Sequence, residues 1–210
     1  MTVHAAFWNK LAEKYSRQPL ANPAAFERKI EVTKGRMRPE HIVLDIGCGT
    51  GSLALRLAPA AAHVHGLDVS TEMVRIANAK AHAEGVLNVS FHVGPFDDTF
   101  TTFGDASLSG VCAYSLLHLV EDRSLALQRI YRLLQPGGFF VSSTVCLGQM
   151  RLLYAPLLGA MQWLGKAPYV SIFTKSTLEQ DIRAAGFVGL VQPEVGAKAN
   201  IAFFVASKPS

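Results

Sequence analysis

Residues 41–57, HIVLDIGCGTGSLALRL, decide the fold of this chain. An apolar run reaches Asp45 and passes directly into Gly47, Gly49 and Gly51, after which the pattern becomes helical. Glycines in a tight turn permit positive φ and let the backbone approach a ligand, while the following helix N-terminus offers free N–H groups. The stretch predicts a strand, a cofactor-binding turn and a helix that open a βαβ unit, although a plain structural turn is the alternative.

The spacing of the glycines bears on which cofactor binds. The pyrophosphate fingerprint is G-x-G-x-x-G, whereas this turn reads G-x-G-x-G with Asp45 two residues before the first glycine. A carboxylate beside the turn repels a pyrophosphate but attracts the ammonium of a methionine moiety, directly or through water. The turn therefore favours S-adenosylmethionine over NAD.

Asp68 ends the next predicted strand, in the stretch HVHGLDVS. An acid at this place in a βαβ unit accepts hydrogen bonds from both ribose hydroxyls of a bound nucleotide. The alternative is a helix N-terminal acid before Ser70, which the helix dipole favours. The two roles are compatible, and we expect the ribose role.

Apolar runs alternate with helical stretches along the rest of the chain, as in an α/β domain. Ser176 is the expected N-cap of the last helix, and residues 135–138 are the expected turn before the fifth strand. The predicted strands are 41–46, 63–68, 89–93, 108–114, 138–146, 187–192 and 202–207, and the predicted helices are 51–57, 71–83, 124–134 and 176–185.

The bulk composition limits the class of protein. Half of the 210 residues are hydrophobic and 17% are charged, which excludes a disordered chain and fits one α/β domain. The net charge of +4 comes from basic residues mixed with acids, without a basic aromatic stripe or a target-base motif, so no nucleic-acid partner is predicted. The three cysteines are odd in number and far apart, which favours a reducing compartment.

Two segments bear on localisation. The N-terminal residues 1–18 lack the apolar region of a secretory signal, so a cytoplasmic protein is expected. Residues 152–165 are apolar but shorter than the roughly twenty residues that span a bilayer. Their apolar surplus leaves open a hydrophobic ligand, a homodimer interface, peripheral membrane contact or plain burial in the core.

Four ordered motifs resemble those of the class I S-adenosylmethionine-dependent methyltransferases: VLDIGCGTG at 43–51, GLDVS at 66–70, YSLLHL at 114–119 and LLQPGG at 133–138. Within that class the chain is most similar to the methyltransferase domain family that includes the ubiquinone and menaquinone biosynthesis enzymes, over roughly residues 7–209. The resemblance implies a Rossmann-like, doubly wound seven-stranded sheet in the order 3-2-1-4-5-7-6, with strand 7 antiparallel and helices on both faces. It also implies S-adenosyl-L-methionine as cofactor.

The resemblance assigns further cofactor contacts. Val69 and Met73 match positions that line the adenine faces, although a core role is equally open to them. Ala113 and Tyr114 match positions at the methionine end.

One departure from the family lies after the third predicted strand. Similar enzymes carry an Asp-Ala pair there, and the acid receives the adenine amino group. Pro95 stands in the place of that acid and has no side-chain oxygen to receive the amino group. We therefore carry over only the backbone contact of Phe96 and propose Asp97 as the substitute acceptor.

Methyl transfer is a displacement at a sulfonium carbon, so the enzyme mainly holds the acceptor near the methyl group and excludes water. His118, four residues after Tyr114, is the candidate general base, and a histidine packed over the sheet edge is the alternative. The other histidines are expected to be structural. Because no pair has metal-ligand spacing with a carboxylate, no metal is predicted.

The remaining expectations concern the acceptor. We expect one domain, with a helical lid at 1–40, a cofactor-binding core at 41–146, a lid insertion at 147–174 and a C-terminal part at 175–210. A small, apolar acceptor, methylated on O, N or C, would contact residues of both lids and the candidate base, namely Tyr15, His118, Met150, Tyr154 and Trp163. The competing functions are a nucleotide-dependent oxidoreductase and a non-catalytic S-adenosylmethionine-binding protein.

Overall fold

The computed structural model describes residues 3–148, 155–156, 159, 161 and 167–210. Within these residues seven strands form one sheet: β1 (Ile42–Ile46), β2 (His63–Asp68), β3 (Val89–Val93), β4 (Leu108–Tyr114), β5 (Leu134–Val145), β6 (Val188–Val191) and β7 (Ile201–Ser207). Their order is β3-β2-β1-β4-β5-β7-β6, and β7 runs antiparallel to both of its neighbours. The predicted fold class, strand order and antiparallel strand 7 are confirmed.

The described helices are α1 (Val3–Arg17), α2 (Pro23–Lys34), α3 (Ser52–Leu57), α4 (Thr71–Glu84), α5 (Arg123–Leu133) and α6 (Lys175–Ala184), with a short 3-10 helix at Ala58–Ala60 after α3. None of the described helices is long and apolar enough to cross a membrane. The helices and strands observed start and end within a few residues of the predicted bounds, apart from the corrections below.

Neighbouring residues on each central strand point to opposite faces of the sheet, so the sheet has two cores. Leu44 and Phe140 belong to the core that includes buried residues of α5 and α6. Val43 and Phe203 belong to the opposite core, which includes Ile30 of α2 and buried residues of α3. Because both faces are covered, the central strands are almost continuously apolar.

Two local predictions are wrong. Residues 135–138 are not a turn before β5 but a bulge within it, because Leu134 already pairs with Leu108 and the register then shifts so that Phe139 pairs with Gly110. The N-cap of α6 is Thr174 rather than Ser176, since the Thr174 hydroxyl accepts from the Thr177 N–H at 3.1 Å. In both places several turn or cap residues stand close together, and only tertiary contacts choose among them.

The first helix, α1, packs on α4 beside the carboxyl end of the sheet. Buried Ala12 meets Met73 and Ile76, with Trp8 partly buried against them. The Asn9 side-chain oxygen accepts hydrogen bonds at the α4 N-terminus, one of them from the Ser70 hydroxyl at 2.6 Å. These contacts place one side of α1 over the glycine turn.

Candidate cofactor and acceptor site

The three glycines of the turn all have positive φ, but the space around an added side chain is filled at two of them and open at the third. A Cβ at Gly47 would lie 2.8 Å from Leu116, and one at Gly51 would lie 2.8 Å from Phe91. A Cβ at Gly49 would meet only Tyr15, at 3.9 Å, so this position faces open space. The outer glycines allow close packing, and Gly49 leaves room for a ligand.

A cavity of about 810 Å³ opens at this turn, beside the carboxyl ends of β1, β2 and β4. Its volume is in the range of small-molecule sites. The predicted site residues that line it are Tyr15, Gly47, Gly49, Asp68, Val69, Met73, Phe96, Asp97, Tyr114 and His118. Asp45, Gly51 and Ala113 do not line it, and Met150, Tyr154 and Trp163 lie outside the described residues.

Asp68 is fixed at the cavity wall by backbone donors. Its two carboxylate oxygens accept from the N–H groups of Gly49 and Ser70, each at 2.9 Å. Partial burial raises the pKa of Asp68, while the two backbone hydrogen bonds lower it. Since each carboxylate oxygen offers more than one lone pair, the group can still accept from a ligand. The helix-terminus role and an open acceptor site therefore coexist at this residue.

Asp45 lies in β1, just before the turn, and is 1% exposed. Its Oδ2 atom has no hydrogen-bond partner among the described residues. Burial, and secondarily the charge of Asp68, raise the pKa of Asp45 well above its ordinary value. Asp45 can therefore influence a ligand from behind the cavity wall, and a cation in the cavity would lower its pKa.

The loop after β3 forms another part of the wall. Gly94, Pro95, Phe96 and Asp97 all line the cavity. Asp97 Oδ1 accepts from both the hydroxyl and the N–H of Thr99, at 2.6 and 2.9 Å, and these bonds lower the pKa of Asp97. The wall thus carries an ionised carboxylate two residues after the proline.

Tyr114 lines the cavity at the end of β4, but its hydroxyl is already engaged. That hydroxyl is 2.8 Å from the Thr33 hydroxyl and donates to the Lys29 carbonyl at 3.2 Å, so it is tied to α2. Burial raises the pKa of Tyr114 well above its usual value. A neutral phenol anchored in this way is suited to shaping the wall rather than to proton transfer.

His118 combines a place in the wall with an unpaired ring nitrogen. Its Nδ1 atom is buried and has no hydrogen-bond partner among the described residues. Burial lowers the pKa of His118 to about 4, so the ring is neutral at physiological pH. Its backbone carbonyl accepts from the N–H of Ser171 at 2.7 Å, which brings Pro168 and Val170 into the cavity wall.

Sequence reasoning missed part of this wall. Leu119 and Leu125 follow the predicted His118, and their nearness to the motif was the available signal. Pro168 and Val170 reach the cavity through the hydrogen bond between Ser171 and His118, which no local pattern indicates. Among the described residues, no group of three histidines, cysteines or acids could hold a metal ion.

Fold and site together define a Rossmann-like domain whose glycine turn and acidic strand end face one cavity. The profile of the methyltransferase domain family matches residues 43–138, which include that turn and strand end. Residues 43–138 therefore carry a methyltransferase domain of the class I S-adenosylmethionine-dependent type. The family resemblance drawn from the four sequence motifs is confirmed.

The chain is also similar to individual methyltransferases in sequence and to solved structures in fold. The ubiquinone/menaquinone biosynthesis C-methyltransferase of Geotalea daltonii is 33% identical over 115 residues, which cover 53% of this chain and 48% of that protein. The crystal structure of YcgJ from Bacillus subtilis matches with a TM-score of 0.70 at 18% identity, covering 88% of this chain and 99% of that one.

A third comparison is with phosphoethanolamine N-methyltransferase 2 of Haemonchus contortus, solved with phosphomonomethylethanolamine and S-adenosylhomocysteine. It matches with a TM-score of 0.71 at 19% identity, covering 88% of this chain and 53% of that one. The chain spans about half the length of the curated relatives it matches.

Proposed function

We propose that this protein transfers the methyl group of S-adenosylmethionine to a small, apolar acceptor. The observation that carries the proposal is the pairing of Gly49, which faces the cavity at positive φ, with Asp68, which is held beside it by the N–H of that same glycine. A backbone without a side chain and a fixed carboxylate are what an adenosyl ligand needs at a strand-to-helix turn. The methyltransferase domain at residues 43–138 supports the same cofactor.

The residues of the cavity wall fit the parts of that cofactor. Asp68 would accept hydrogen bonds from the ribose hydroxyls through its remaining lone pairs. Met73 and Phe96 would line the faces of the adenine, and Asp97 supplies a carboxylate near its amino edge. Tyr15, beside Gly49, would lie at the methionine end rather than deep in the acceptor pocket.

Asp45 is the buried carboxyl group whose negative charge such a ligand would stabilise. The ammonium of the methionine moiety is a cation, and a cation on the cavity side of the turn would favour the ionised form of Asp45. Burial, and secondarily the charge of Asp68, shift the pKa of Asp45 in the opposite direction. The carboxyl groups around the turn therefore fit the proposed cofactor.

The bound cofactor supplies an electrophilic methyl group, and the chain supplies the surroundings in which the acceptor meets it. Neutral His118 can accept a hydrogen bond from an O–H or N–H of the acceptor, and its pKa of about 4 limits it to taking up a proton that becomes strongly acidic as the new bond forms. The wall around it is mainly apolar, with contributions from Leu116, Leu119, Leu125, Val145 and Val170. This lining supports an apolar acceptor.

Transfer of label from S-adenosylmethionine tests the proposal. The protein is incubated with the methyl-tritiated cofactor and an ultrafiltered cell extract, beside a macromolecular fraction of the same extract. We expect the label to enter small molecules that partition into an organic solvent. Label that enters protein or nucleic acid instead, or water-soluble products alone, would contradict the proposed acceptor class.

A further inference from the structure

The loop between β3 and β4 forms the end of the cavity where the adenine is proposed to bind. Phe96 and Asp97 of this loop line the cavity, and Phe100, three residues on, is buried in the core beneath it. The loop has no regular secondary structure between Val93 and Leu108. Its conformation therefore depends on contacts with neighbouring elements.

Arg129 of α5 makes three contacts with this one loop. Its Nη1 donates to Asp98 Oδ1 at 2.6 Å, and its Nη2 donates to the Phe100 carbonyl. The centre of its guanidinium lies 5.3 Å from the centroid of the Phe96 ring. A single side chain thus contacts three residues in the first half of the loop, Phe96, Asp98 and Phe100.

The burial of Arg129 needs an explanation beyond surface pairing. Arg129 is 8% exposed and its Nε has no partner among the described residues, while the side chain of Asp98 is 81% exposed. Burying a guanidinium costs free energy, and a pair with a largely exposed carboxylate returns little of it. Arg132, three residues further along α5, reaches the same carboxylate at 3.6 Å while remaining half exposed. A buried arginine is therefore not required to neutralise Asp98.

We propose that Arg129 is a positioning residue for the cofactor, which fixes the segment 96–100 in the arrangement that receives the adenine. The inference rests on the proposed function. Because Pro95 offers no carboxylate, the adenine edge has to be met by the backbone of Phe96 and by Asp97. Such contacts require a defined loop conformation, and affinity falls by the fraction of molecules that lack it.

Calorimetric titration of two ligands tests this role. S-adenosylhomocysteine and 5′-methylthioadenosine share the adenosyl group, but only the first carries the amino-acid end. Arg129→Gln should weaken both ligands by the same factor, about tenfold if the loop is correctly arranged only a tenth of the time. Arg132→Gln is the matched control on the same helix and should bind both ligands as the wild type does.

Three results would overturn the role of Arg129. One is wild-type affinity of Arg129→Gln for both ligands. Another is a loss confined to S-adenosylhomocysteine, because that would place the effect at the methionine end. If Arg129→Gln does not fold, Asp98→Ala decides, because it removes the acceptor of Arg129 Nη1 at a largely exposed position. This variant should weaken both ligands equally without lowering the unfolding temperature, and unchanged affinity would be the third result. Failure of the wild type to bind either ligand would instead contradict the proposed function.

Discussion

At the scale of single residues, the three glycines of the turn are required for two different reasons, side-chain packing and ligand space. Gly47 and Gly51 are required by the packing of Leu116 and Phe91, whereas Gly49 is required by what approaches from the cavity. Since all three have positive φ, conformation alone does not separate structural from functional glycines. The space around an added Cβ separates them, because a neighbouring side chain fills it at Gly47 and Gly51 but not at Gly49.

Gly49→Ala tests this distinction, with Gly85→Ala as its matched control. Both glycines have positive φ, and an added Cβ would meet no close atom at either, but Gly85 caps α4 away from the cavity. Each alanine should cost about 1–2 kcal/mol of folding stability through its left-handed conformation. Only Gly49→Ala should also weaken S-adenosylhomocysteine binding, because its methyl group would occupy ligand space. Thermal unfolding and calorimetry measure the two effects.

Equal ligand affinity in the two glycine variants would remove Gly49 from the site. If the two variants lose different amounts of folding stability, something besides the positive φ destabilises one of them. The comparison therefore separates the turn's conformation from its proposed role in binding.

At the scale of elements, three histidines connect β2 and β3 to the loop that follows β3. His65 Nδ1 lies 3.2 Å from His92 Nε2, and His63 Nε2 lies 2.8 Å from the Ser90 hydroxyl. The ring of Phe103 packs edge-on against His65, with centroids 4.8 Å apart. Burial, together with His63 and His92, lowers the pKa of His65 to about 4.

This cluster predicts a loss of stability in mild acid. An unfolded histidine takes up a proton near about pH 6.5, whereas His65 in the folded protein resists protonation until about pH 4. The unfolded state therefore binds more protons between these values, and the free energy of unfolding decreases as the pH falls through that window. Thermal unfolding of the wild type and of His65→Gln across the window measures this contribution.

The variant without the imidazole should show a shallower decrease than the wild type. His82→Gln, at an exposed position on α4, serves as the control and should follow the wild-type curve. If His65→Gln and the wild type lose stability in parallel, the cluster does not govern the acid response.

At the scale of the whole molecule, the features that could be predicted from the sequence are those that depend on residues close together in the chain. The alternation of strands and helices, the turn after Ile46 and the acid at Asp68 are all local signals, and the structure places the last two beside one cavity. The strand order followed from the family resemblance and is confirmed. The sequence left two roles open at Asp68, the acid at a helix N-terminus and the acceptor for the ribose hydroxyls. The structure shows backbone hydrogen bonds that fit the first role, and the carboxylate keeps lone pairs for the second.

The rest depended on contacts between residues far apart in sequence. Arg129 meets a loop about thirty residues earlier, and Ser171 brings its neighbours to His118 from more than fifty residues away. The docking of Asn9 on the start of α4 is of the same kind. Neither periodicity nor spacing records such pairings, because each partner on its own is an ordinary polar residue.

We propose that the cavity beside the glycine turn binds an adenosylmethionine-type ligand and not a dinucleotide. Calorimetric titration of the wild-type protein with S-adenosylhomocysteine and with NAD compares the two directly. We predict a dissociation constant for S-adenosylhomocysteine of about 10⁻⁶ M and an affinity for NAD at least about a hundredfold lower, because carboxylates beside the turn repel a pyrophosphate. Equal or tighter binding of NAD would contradict the account.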